Sequence, residues 1–238
     1  MSEHSVKELP VSELSVRELS PGDPTPRTLV AVLYPGFELL DLYGPLEMFG
    51  TLTQDYRIVT VAQQAGPVAS TQGPATVADY DFDTVPACNL LLLPGGIGTL
   101  PALSNAALLD YLRRASAQAE VTMSVCSGSA ILARAGLLDG LRATSNKQFF
   151  QLAQAQSSAV QWVTTARWVD AGRFVTSSGV SAGTDMALAV IARLQGVAVA
   201  EGVAAGAEYQ WHRDADVDPF VVYLNAAMSG LPPEMYTP

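Results

Sequence analysis

The sequence predicts an α/β fold in which a doubly wound, mostly parallel sheet is sandwiched between helices. Short apolar runs with the length and β-branched content of buried parallel strands alternate with segments whose apolar residues recur at helical spacing. Such alternation is typical of parallel sheets. Two of the apolar runs lead straight into turns of small residues, at 94–98 and 126–130, and the second turn begins with a cysteine. Because ligands of such sheets bind at the carboxyl ends of the strands, these turns mark the expected functional edge.

The composition fits one compact domain preceded by an arm. The chain has 238 residues, of which 49% are hydrophobic and 15% charged, enough to bury a sizeable core. Residues 1–27 are polar and carry repeated prolines, which predicts a flexible N-terminal arm. An alternative is that its regularly spaced leucines, Leu9, Leu14 and Leu19, dock on the domain or on a partner subunit. Residues 28–238 are predicted to form a single α/β domain.

Charge and residue counts exclude several classes of partner. The formal net charge of −10 opposes binding to phosphate backbones, which depends on clustered Lys and Arg, so no nucleic-acid partner is expected. No apolar run reaches the roughly 20 residues of a membrane span, and the N-terminus lacks the apolar segment of a signal peptide. We therefore expect a cytoplasmic protein without a membrane partner. Two cysteines and two histidines are too few for a metal cluster, so neither a metal nor another cofactor is expected.

The first strand and the first helix are predicted at residues 28–34 and 37–50. The strand is one continuous apolar run. The helix has an apolar side and is expected to kink or restart at Gly44-Pro45, because proline cannot donate the helical hydrogen bond. Asp41 is an isolated carboxylate among leucines near the start of this helix. Burying it unpaired would be costly, so Asp41 is either solvent-facing or functional.

A strand at 56–62, a hairpin at 66–80 and a third core strand at 89–93 follow along the chain. The turn at 94–98, with the sequence Pro-Gly-Gly-Ile-Gly, comes directly after the third strand. One interpretation is that its backbone N–H groups are exposed at the sheet edge, as in an oxyanion hole. The other is that it is a tight strand-to-helix turn and no more, since glycine adopts positive φ at little cost.

Residues 120–130 contain a short apolar strand that runs into Cys126 and then into small residues that open a helix. A segment with helical spacing, 108–119, leads into this strand. The pattern predicts a nucleophile elbow, whose turn residue faces the N–H groups and the partial positive charge of a helix N-terminus. Such a site favours a thiolate. The alternative is that Cys126 is a small buried hydrophobe, as many free cysteines are.

The remaining elements are shorter. The elbow helix is expected to end at residues 136–140, where glycines flank the last apolar residues. Short strands are then predicted at 160–164, 167–169 and 173–177, the last two joined by a tight turn. Residues 179–183 open another helix. The C-terminal tail, 208–238, starts with polar and aromatic residues that either cap the core or line an entrance to the site.

Five stretches of the chain together resemble the ThiJ/PfpI superfamily, which has the flavodoxin-like, class I glutamine amidotransferase-like fold. These stretches are residues 33–45, 92–96, 124–129, 142–145 and 178–185. The segment Leu40-Asp41-x-x-Gly44-Pro45 looks most like the isocyanide hydratase branch and the amidase-like domains of AraC-type regulators. The resemblance implies that Cys126 is the nucleophile and that Asp41 is the acidic residue that contacts it.

The chain departs from other branches of the superfamily at Asn146, where many members have a histidine. A Cys-His pair through that position therefore cannot form. His212 and Asp214 have the spacing of the histidine and the carboxylate in the amidotransferase triad. They follow a helix-like, alanine-rich segment rather than a strand, so His212 is interpreted as a surface or subunit-contact residue.

Together with a thiol and a carboxyl that lack a histidine, the resemblance to the isocyanide hydratase branch implies a cysteine-dependent hydratase for a small electrophile. The reaction that the resemblance implies converts an isocyanide into an N-substituted formamide. Cys126 and Asp41 are the expected catalytic residues, and the N–H groups of Gly96 and Ser127 are expected to bind the developing negative charge. A pKa of Asp41 raised by its apolar surroundings would help this residue to change protonation. The other residues expected around the pocket are Gly95, Asn146, Gly179 and Ser181.

Two alternatives share the same thiol. One is another thiol activity of the superfamily, such as cofactor-free glyoxalase or amidase-type hydrolysis. The other is a non-catalytic protein that senses a ligand or the redox state through Cys126. The resemblance also implies a homodimer, for which the aromatic side chains of Tyr209, Trp211 and Tyr223 are candidate contacts.

Overall fold

The computed structural model describes residues 25–228, so nearly all of the predicted arm and the last ten residues of the tail lie outside the described residues. The strands within this range are β1 Arg27–Val32, β2 Tyr56–Ala62, β3 Gly66–Ala69, β4 Ala75–Ala78, β5 Tyr80–Asp81, β6 Leu90–Leu93, β7 Val121–Ser124, β8 Arg142–Ala143, β9 Gln161–Trp162, β10 Trp168–Asp170 and β11 Phe174–Ser177. The α-helices are α1 Leu39–Gly50, α2 Thr99–Ala102, α3 Ala106–Gln118, α4 Gly128–Arg134, α5 Phe150–Gln154, α6 Ala182–Gln195 and α7 Val197–Gly206. Two 3₁₀-helices follow, Pro219–Tyr223 and Ala226–Met228.

The main sheet has seven strands in the order β10-β11-β7-β6-β1-β2-β5. All neighbours in this sheet pair in parallel except β10 and β11, which are antiparallel. This confirms the predicted α/β fold with a mostly parallel sheet flanked by helices. The predicted hairpin is also confirmed, because β3 and β4 pair in antiparallel fashion as a separate small sheet.

The central strands end side by side, which places the turns that follow them at one edge of the sheet. Ser124, the last residue of β7, pairs with Leu93 at the end of β6 and with Thr176 near the end of β11. Strands β6 and β7 are buried along their whole length, because helices cover both faces of the sheet. The glycine turn after β6 and the cysteine turn after β7 therefore meet, as expected for ligands of doubly wound sheets.

Helix α1 begins at Leu39 and carries a fully buried carboxyl group in its first turn, that of Asp41. Phe37, predicted to start the helix, instead forms an isolated β-bridge with Ser70. Pro45 lies inside the helix, which continues to Gly50, so the predicted restart is wrong. Proline has no N–H to donate to the carbonyl four residues earlier, which is that of Asp41. The carbonyl that receives no helical hydrogen bond from the proline is therefore that of Asp41, a residue of the candidate site.

Four buried charged residues attach the C-terminal segment to the domain. Arg167 donates to the Asp185 carboxylate on α6 through Nε at 2.7 Å and contacts it through Nη2 at 2.6 Å. Asp218 lies 3.5 Å from Lys147 Nζ and 3.8 Å from Arg167 Nη1, and its side chain is fully buried. Removing one partner of such a cluster leaves a buried charge uncompensated, so the cluster fixes the position of the segment that carries Asp218.

The first residues of the tail cap α6. The side chain of Tyr209, the backbone N–H of His212 and the indole of Trp211 all donate to Asp185, two to its carboxylate and the last to its carbonyl. Tyr209 and Trp211 also pack partly buried against the core, so of the candidate dimer contacts only Tyr223 is half exposed.

Over residues 25–228, none of the helices has both the length and the apolarity needed to span a bilayer.

Candidate active site

Cys126 occupies the turn between β7 and α4 with a backbone φ of 59°, in the left-handed region that non-glycine residues rarely adopt. This strained conformation is what a nucleophile elbow requires. The N–H of Cys126 is shared between the carbonyls of Ser177 and Ser178, at 3.2 Å each. Its carbonyl accepts hydrogen bonds from the hydroxyls of Ser129 and Ser145, at 3.1 Å each. These four contacts hold the strained residue in place.

The thiol of Cys126 is 6% exposed and accepts a hydrogen bond from Asn146 Nδ2 at 3.1 Å. Burial raises the pKa of Cys126 well above its ordinary value, and the negative charge of Asp41 raises it further. The backbone N–H of Ser127 and the Asn146 amide lower the pKa of the thiol, but not enough to reverse the shift. The expectation that the elbow favours a thiolate in the resting protein is therefore wrong, because desolvation outweighs the N–H groups of a short helix.

Asp41 projects from α1 to the same edge, where its Oδ2 accepts a hydrogen bond from the Gly95 N–H at 2.9 Å. Its Oδ1 is buried and has no hydrogen-bond partner among the described residues. Burial raises the pKa of Asp41 to about 8, and the charge of Glu38 acts in the same direction, whereas the Gly95 N–H and the neighbouring Cys126 thiol lower it. The pKa of Asp41 thus lies in the direction that would help this residue to change protonation. At neutral pH the carboxyl therefore holds a proton beside the thiol.

A cavity of about 500 Å³ opens from the sulfur. Its apolar lining comes from Ile97, Leu100, Phe149, Leu152, Val180 and Met228. Its polar lining comes from Glu38, Thr71, Thr99, Ser127, Asn146 and Gln148. The arrangement suits a small molecule with a reactive end at the thiol and an apolar body.

The two predicted oxyanion donors differ in availability. The N–H of Gly96 donates to Ser127 Oγ at 3.2 Å, and this hydroxyl is also hydrogen-bonded to Thr99 Oγ1 at 2.8 Å. Gly96 therefore does not present a free N–H to the cavity in the resting protein, contrary to the prediction. The N–H of Ser127 acts on the sulfur, as its influence on the pKa of Cys126 shows.

Of the other predicted pocket residues, three lie at the site and one does not. Gly95 binds the Asp41 carboxyl, and Asn146 binds the sulfur. A Cβ on Gly179 would lie 3.0 Å from the sulfur, so its backbone forms the wall behind the thiol. The prediction for Ser181 is wrong, because its hydroxyl turns away from the cavity and accepts a hydrogen bond from Arg167 Nη2 at 3.4 Å.

His212 is also outside the cavity, and its ring Nε2 is 3.1 Å from the carbonyl of Val217. No histidine lines the cavity within the described range, and the carboxyl with a raised pKa beside the thiol is that of Asp41. Within residues 25–228, no group of three or more His, Cys, Asp or Glu side chains is placed to hold a metal ion.

The region that known sequences share with this chain includes this edge of the sheet. The sequence profile of the DJ-1/PfpI family matches residues 27–193, which include the cysteine turn, the glycine turn and α1. The chain belongs to the DJ-1/PfpI family. The isonitrile hydratase of Pseudomonas putida is 33% identical over 178 residues, which cover 75% of this chain and 76% of that protein.

Proteins that are similar to this chain differ in their functions. The HTH-type transcriptional regulator GbdR of Pseudomonas aeruginosa is 30% identical over 181 residues, which cover 74% of this chain and 49% of the regulator. The crystal structure of a ThiJ/PfpI family protein from Pseudomonas syringae superposes with a TM-score of 0.75 at 31% identity, over 95% of this chain and 96% of that one. Family membership therefore establishes the fold, and the choice among functions depends on the site.

Glu38, Phe149 and Met228 are among the residues that line the cavity of this DJ-1/PfpI domain without having been predicted from the sequence. Glu38 is part of the stretch that resembles the superfamily, and its position three residues before Asp41 on the chain is a signal that was available. Phe149 and Met228 carry no such signal, because an apolar side chain that faces a cavity has the same sequence pattern as one that faces the core.

Replacing Gly179 with alanine is expected to slow alkylation of Cys126 by iodoacetamide roughly 10-fold, the value of one hydrogen bond to a charged group. The added Cβ would clash with Asn146 Nδ2, so the amide must move away from the sulfur. The thiolate then loses a donor, and the pKa of Cys126 rises further. The measurement is the rate of alkylation at Cys126, followed by mass spectrometry.

Gly202→Ala is the matched control, because nothing lies within 4 Å of a Cβ built on this glycine in α7. Its alkylation rate should equal that of the wild type, while its stability rises slightly, as expected for alanine in a helix interior. Equal alkylation rates for Gly179→Ala and the wild type would show that the Asn146 contact does not influence the thiol.

Proposed function

We propose that this protein is a cysteine-dependent hydratase that adds water to an isocyanide and releases an N-substituted formamide. The observation that carries the proposal is the pairing of the Cys126 thiol with a fully buried Asp41 whose pKa is raised to about 8, at the end of a partly apolar cavity. The similarity to the isonitrile hydratase of Pseudomonas putida, at 33% identity, supports the same reaction.

The first step forms a thioimidate. The reactive form of the pair holds one proton, as a thiolate on Cys126 beside a neutral carboxyl on Asp41. The sulfur attacks the terminal carbon of R–N≡C, a C–S bond forms, and Asp41 gives its proton to the same carbon. The product is R–N=CH–S–Cys126 next to an Asp41 carboxylate. Asn146 and the Ser127 N–H, which contact the sulfur in the resting protein, stabilise the thiolate that attacks.

The second step uses the carboxylate that the first step leaves behind. Asp41 removes a proton from water, whose oxygen adds to the thioimidate carbon, and the proton passes to the substrate nitrogen. The resulting R–NH–CH(OH)–S–Cys126 then gives its hydroxyl proton to Asp41 as the C–S bond breaks. The formamide R–NH–CHO leaves, and the thiolate and the neutral carboxyl are restored. One carboxyl acts in turn as acid and base, which requires a pKa near the working pH.

The direct test is to incubate the purified protein with cyclohexyl isocyanide and to measure N-cyclohexylformamide by mass spectrometry. Formation of the formamide in proportion to enzyme concentration and time is the expected result. If lactate forms from methylglyoxal and no formamide forms from the isocyanide, the protein is a glyoxalase. If Cys126 oxidises under mild peroxide and no electrophile is turned over, the protein is a sensor.

We expect kcat/KM for the isocyanide to rise with pH up to about pH 8 and then to level off. Below that pH the pair holds both protons and the sulfur is not nucleophilic. The pair loses its first proton with the pKa of about 8 that Asp41 carries. Above that pH the pair holds one proton, and the form with a thiolate is a minor but constant fraction of it. Between about pH 6 and about pH 8 the rise should be roughly 50-fold.

Glu38→Gln tests the origin of this profile. The charge of Glu38 raises the pKa of Asp41, so its removal should move the rise in kcat/KM to lower pH without abolishing it. Tyr43→Phe, on the exposed side of the same helix, should leave the midpoint unchanged. A rate that falls as the pH passes 8 would contradict the proposed active form, because it would require both protons on the pair.

A further inference from the structure

Met228 lines the cavity and comes from the C-terminal segment, not from the sheet edge. The residue is buried, at 6% exposure, and lies outside the region that the family profile matches. Because Met228 lines the same cavity as Cys126 and Asn146, its side chain takes up space that an apolar substrate group would otherwise occupy.

Backbone contacts hold this residue against the cavity wall. The N–H of Asn225 donates to the carbonyl of Lys147 at 2.7 Å, and the N–H of Ala227 donates to the carbonyl of Gln148 at 3.2 Å. The Asn225 side chain accepts a hydrogen bond from the N–H of Gln151 at 2.7 Å. The last 3₁₀-helix is therefore bound to residues 147–151, which carry Phe149 of the apolar wall.

The buried charges anchor the same segment at its other end. Asp218 pairs with Lys147 and Arg167, and its N–H donates to the carbonyl of Thr165 at 3.0 Å. Lys147 thus takes part in both attachments, through its side chain to Asp218 and through its carbonyl to Asn225. Met228 directly follows the second of these attachments, so its position is defined and it forms a fixed part of the cavity lining.

We infer that Met228 is a specificity-determining residue that sets the largest apolar group the site accepts, an inference that rests on the proposed hydration of isocyanides. The methionine side chain is unbranched, and truncation to alanine removes everything beyond Cβ. The added space enlarges the cavity where Met228 lines it. Bulky isocyanides gain from this space, whereas small ones lose only a contact they hardly use.

The test compares Met228→Ala with the wild type on isopropyl isocyanide and on 1-adamantyl isocyanide. The ratio of kcat/KM for the adamantyl compound to that for the isopropyl compound should rise about 10-fold, within the range that pocket size typically gives. Met228→Phe should move the ratio in the opposite direction. Val222→Ala, on the same segment but 81% exposed, should leave the ratio as in the wild type.

A second readout separates failure of this inference from failure of the proposed function. Alkylation of Cys126 by N-ethylmaleimide and by N-phenylmaleimide needs no turnover, and peptide mapping distinguishes it from alkylation of Cys88. The rate ratio should shift toward the larger reagent in Met228→Ala. If the alkylation ratio shifts but the wild type makes no formamide, the proposed hydratase reaction is wrong and the proposed role of Met228 stands. If Met228→Ala and Met228→Phe leave the ratios unchanged in every reaction that proceeds, Met228 does not set the size of the accepted group.

Discussion

Replacing Cys126 with serine should lower kcat/KM for cyclohexyl isocyanide by on the order of 10⁴-fold, as removal of a nucleophile does in other enzymes. The hydroxyl fits the same elbow and keeps the backbone contacts to Ser177 and Ser178. What it loses is nucleophilicity, because a serine hydroxyl needs a strong base and the site offers only a buried carboxyl. The measurement is formamide production at equal enzyme concentration, together with a thermal unfolding curve to show that the fold is intact.

Cys88→Ala is the control for this substitution. Cys88 is also a buried free thiol, but its Sγ is 3.1 Å from the carbonyl of Leu90 and it does not line the cavity. Its pKa is raised to about 12 by burial, so it contributes no thiolate at neutral pH. Activity in Cys88→Ala should therefore match the wild type. Substantial formamide production by Cys126→Ser would contradict the assignment of the nucleophile.

Replacing Asp41 with asparagine should lower activity by on the order of 10³-fold, a typical contribution of a general acid–base group, and should stabilise the fold. The amide cannot give or accept the proton that both steps require, although its carbonyl can still accept from the Gly95 N–H. The stabilisation follows from linkage. The carboxyl has an ordinary pKa of 3.8 and a pKa of about 8 in the folded protein, so it loses its proton on unfolding at neutral pH.

The sign of the pH dependence follows from these two values. Between about pH 4 and about pH 8, unfolding releases a proton from Asp41, so the free energy of unfolding decreases as the pH rises through this window. Asp41→Asn removes that dependence and should be on the order of 3 kcal/mol more stable at pH 7, less than the full linkage because its amide is also buried.

Urea unfolding of the two proteins at about pH 5 and about pH 7.5 checks this expectation. The wild type should lose stability between the two conditions by more than Asp41→Asn does. If the asparagine variant is less stable than the wild type at the higher pH, the carboxyl is ionised and favourably paired in the folded protein. The proton that the first chemical step needs would then have to come from elsewhere.

The sequence predicts the core of the fold well because buried parallel strands are continuous apolar runs. The strand at 56–62 is found as Tyr56–Ala62, and the strand predicted at 89–93 is found as Leu90–Leu93. The boundaries shift where a tertiary contact replaces a local preference, as at Phe37, whose bridge to Ser70 delays the start of α1. Strand β8, of two residues, is too short for a pattern to define, whereas β9, Gln161–Trp162, lies within the strand predicted at 160–164.

The candidate site was predictable to the extent that its residues are polar or stand in turns. The sequence predicts that Cys126 and Asp41 lie at one edge of the sheet, and the structure places them there with Asn146 at the sulfur. The protonation of the thiol was not predictable, because it depends on how completely the surrounding protein removes water. Ser181 was misplaced for a related reason, since Arg167 competes for its hydroxyl and no local pattern reveals that partner.

The attachment of Met228 divides the site between two parts of the chain. The thiol, the proposed acid and their donors belong to residues 27–193, which the family profile matches, whereas Met228, which also lines the cavity, comes from residues beyond that range. Mutations in the C-terminal segment can therefore alter which molecules are accepted without touching the groups that react. Two relatives that agree throughout the matched region can share a reaction and still differ in substrate.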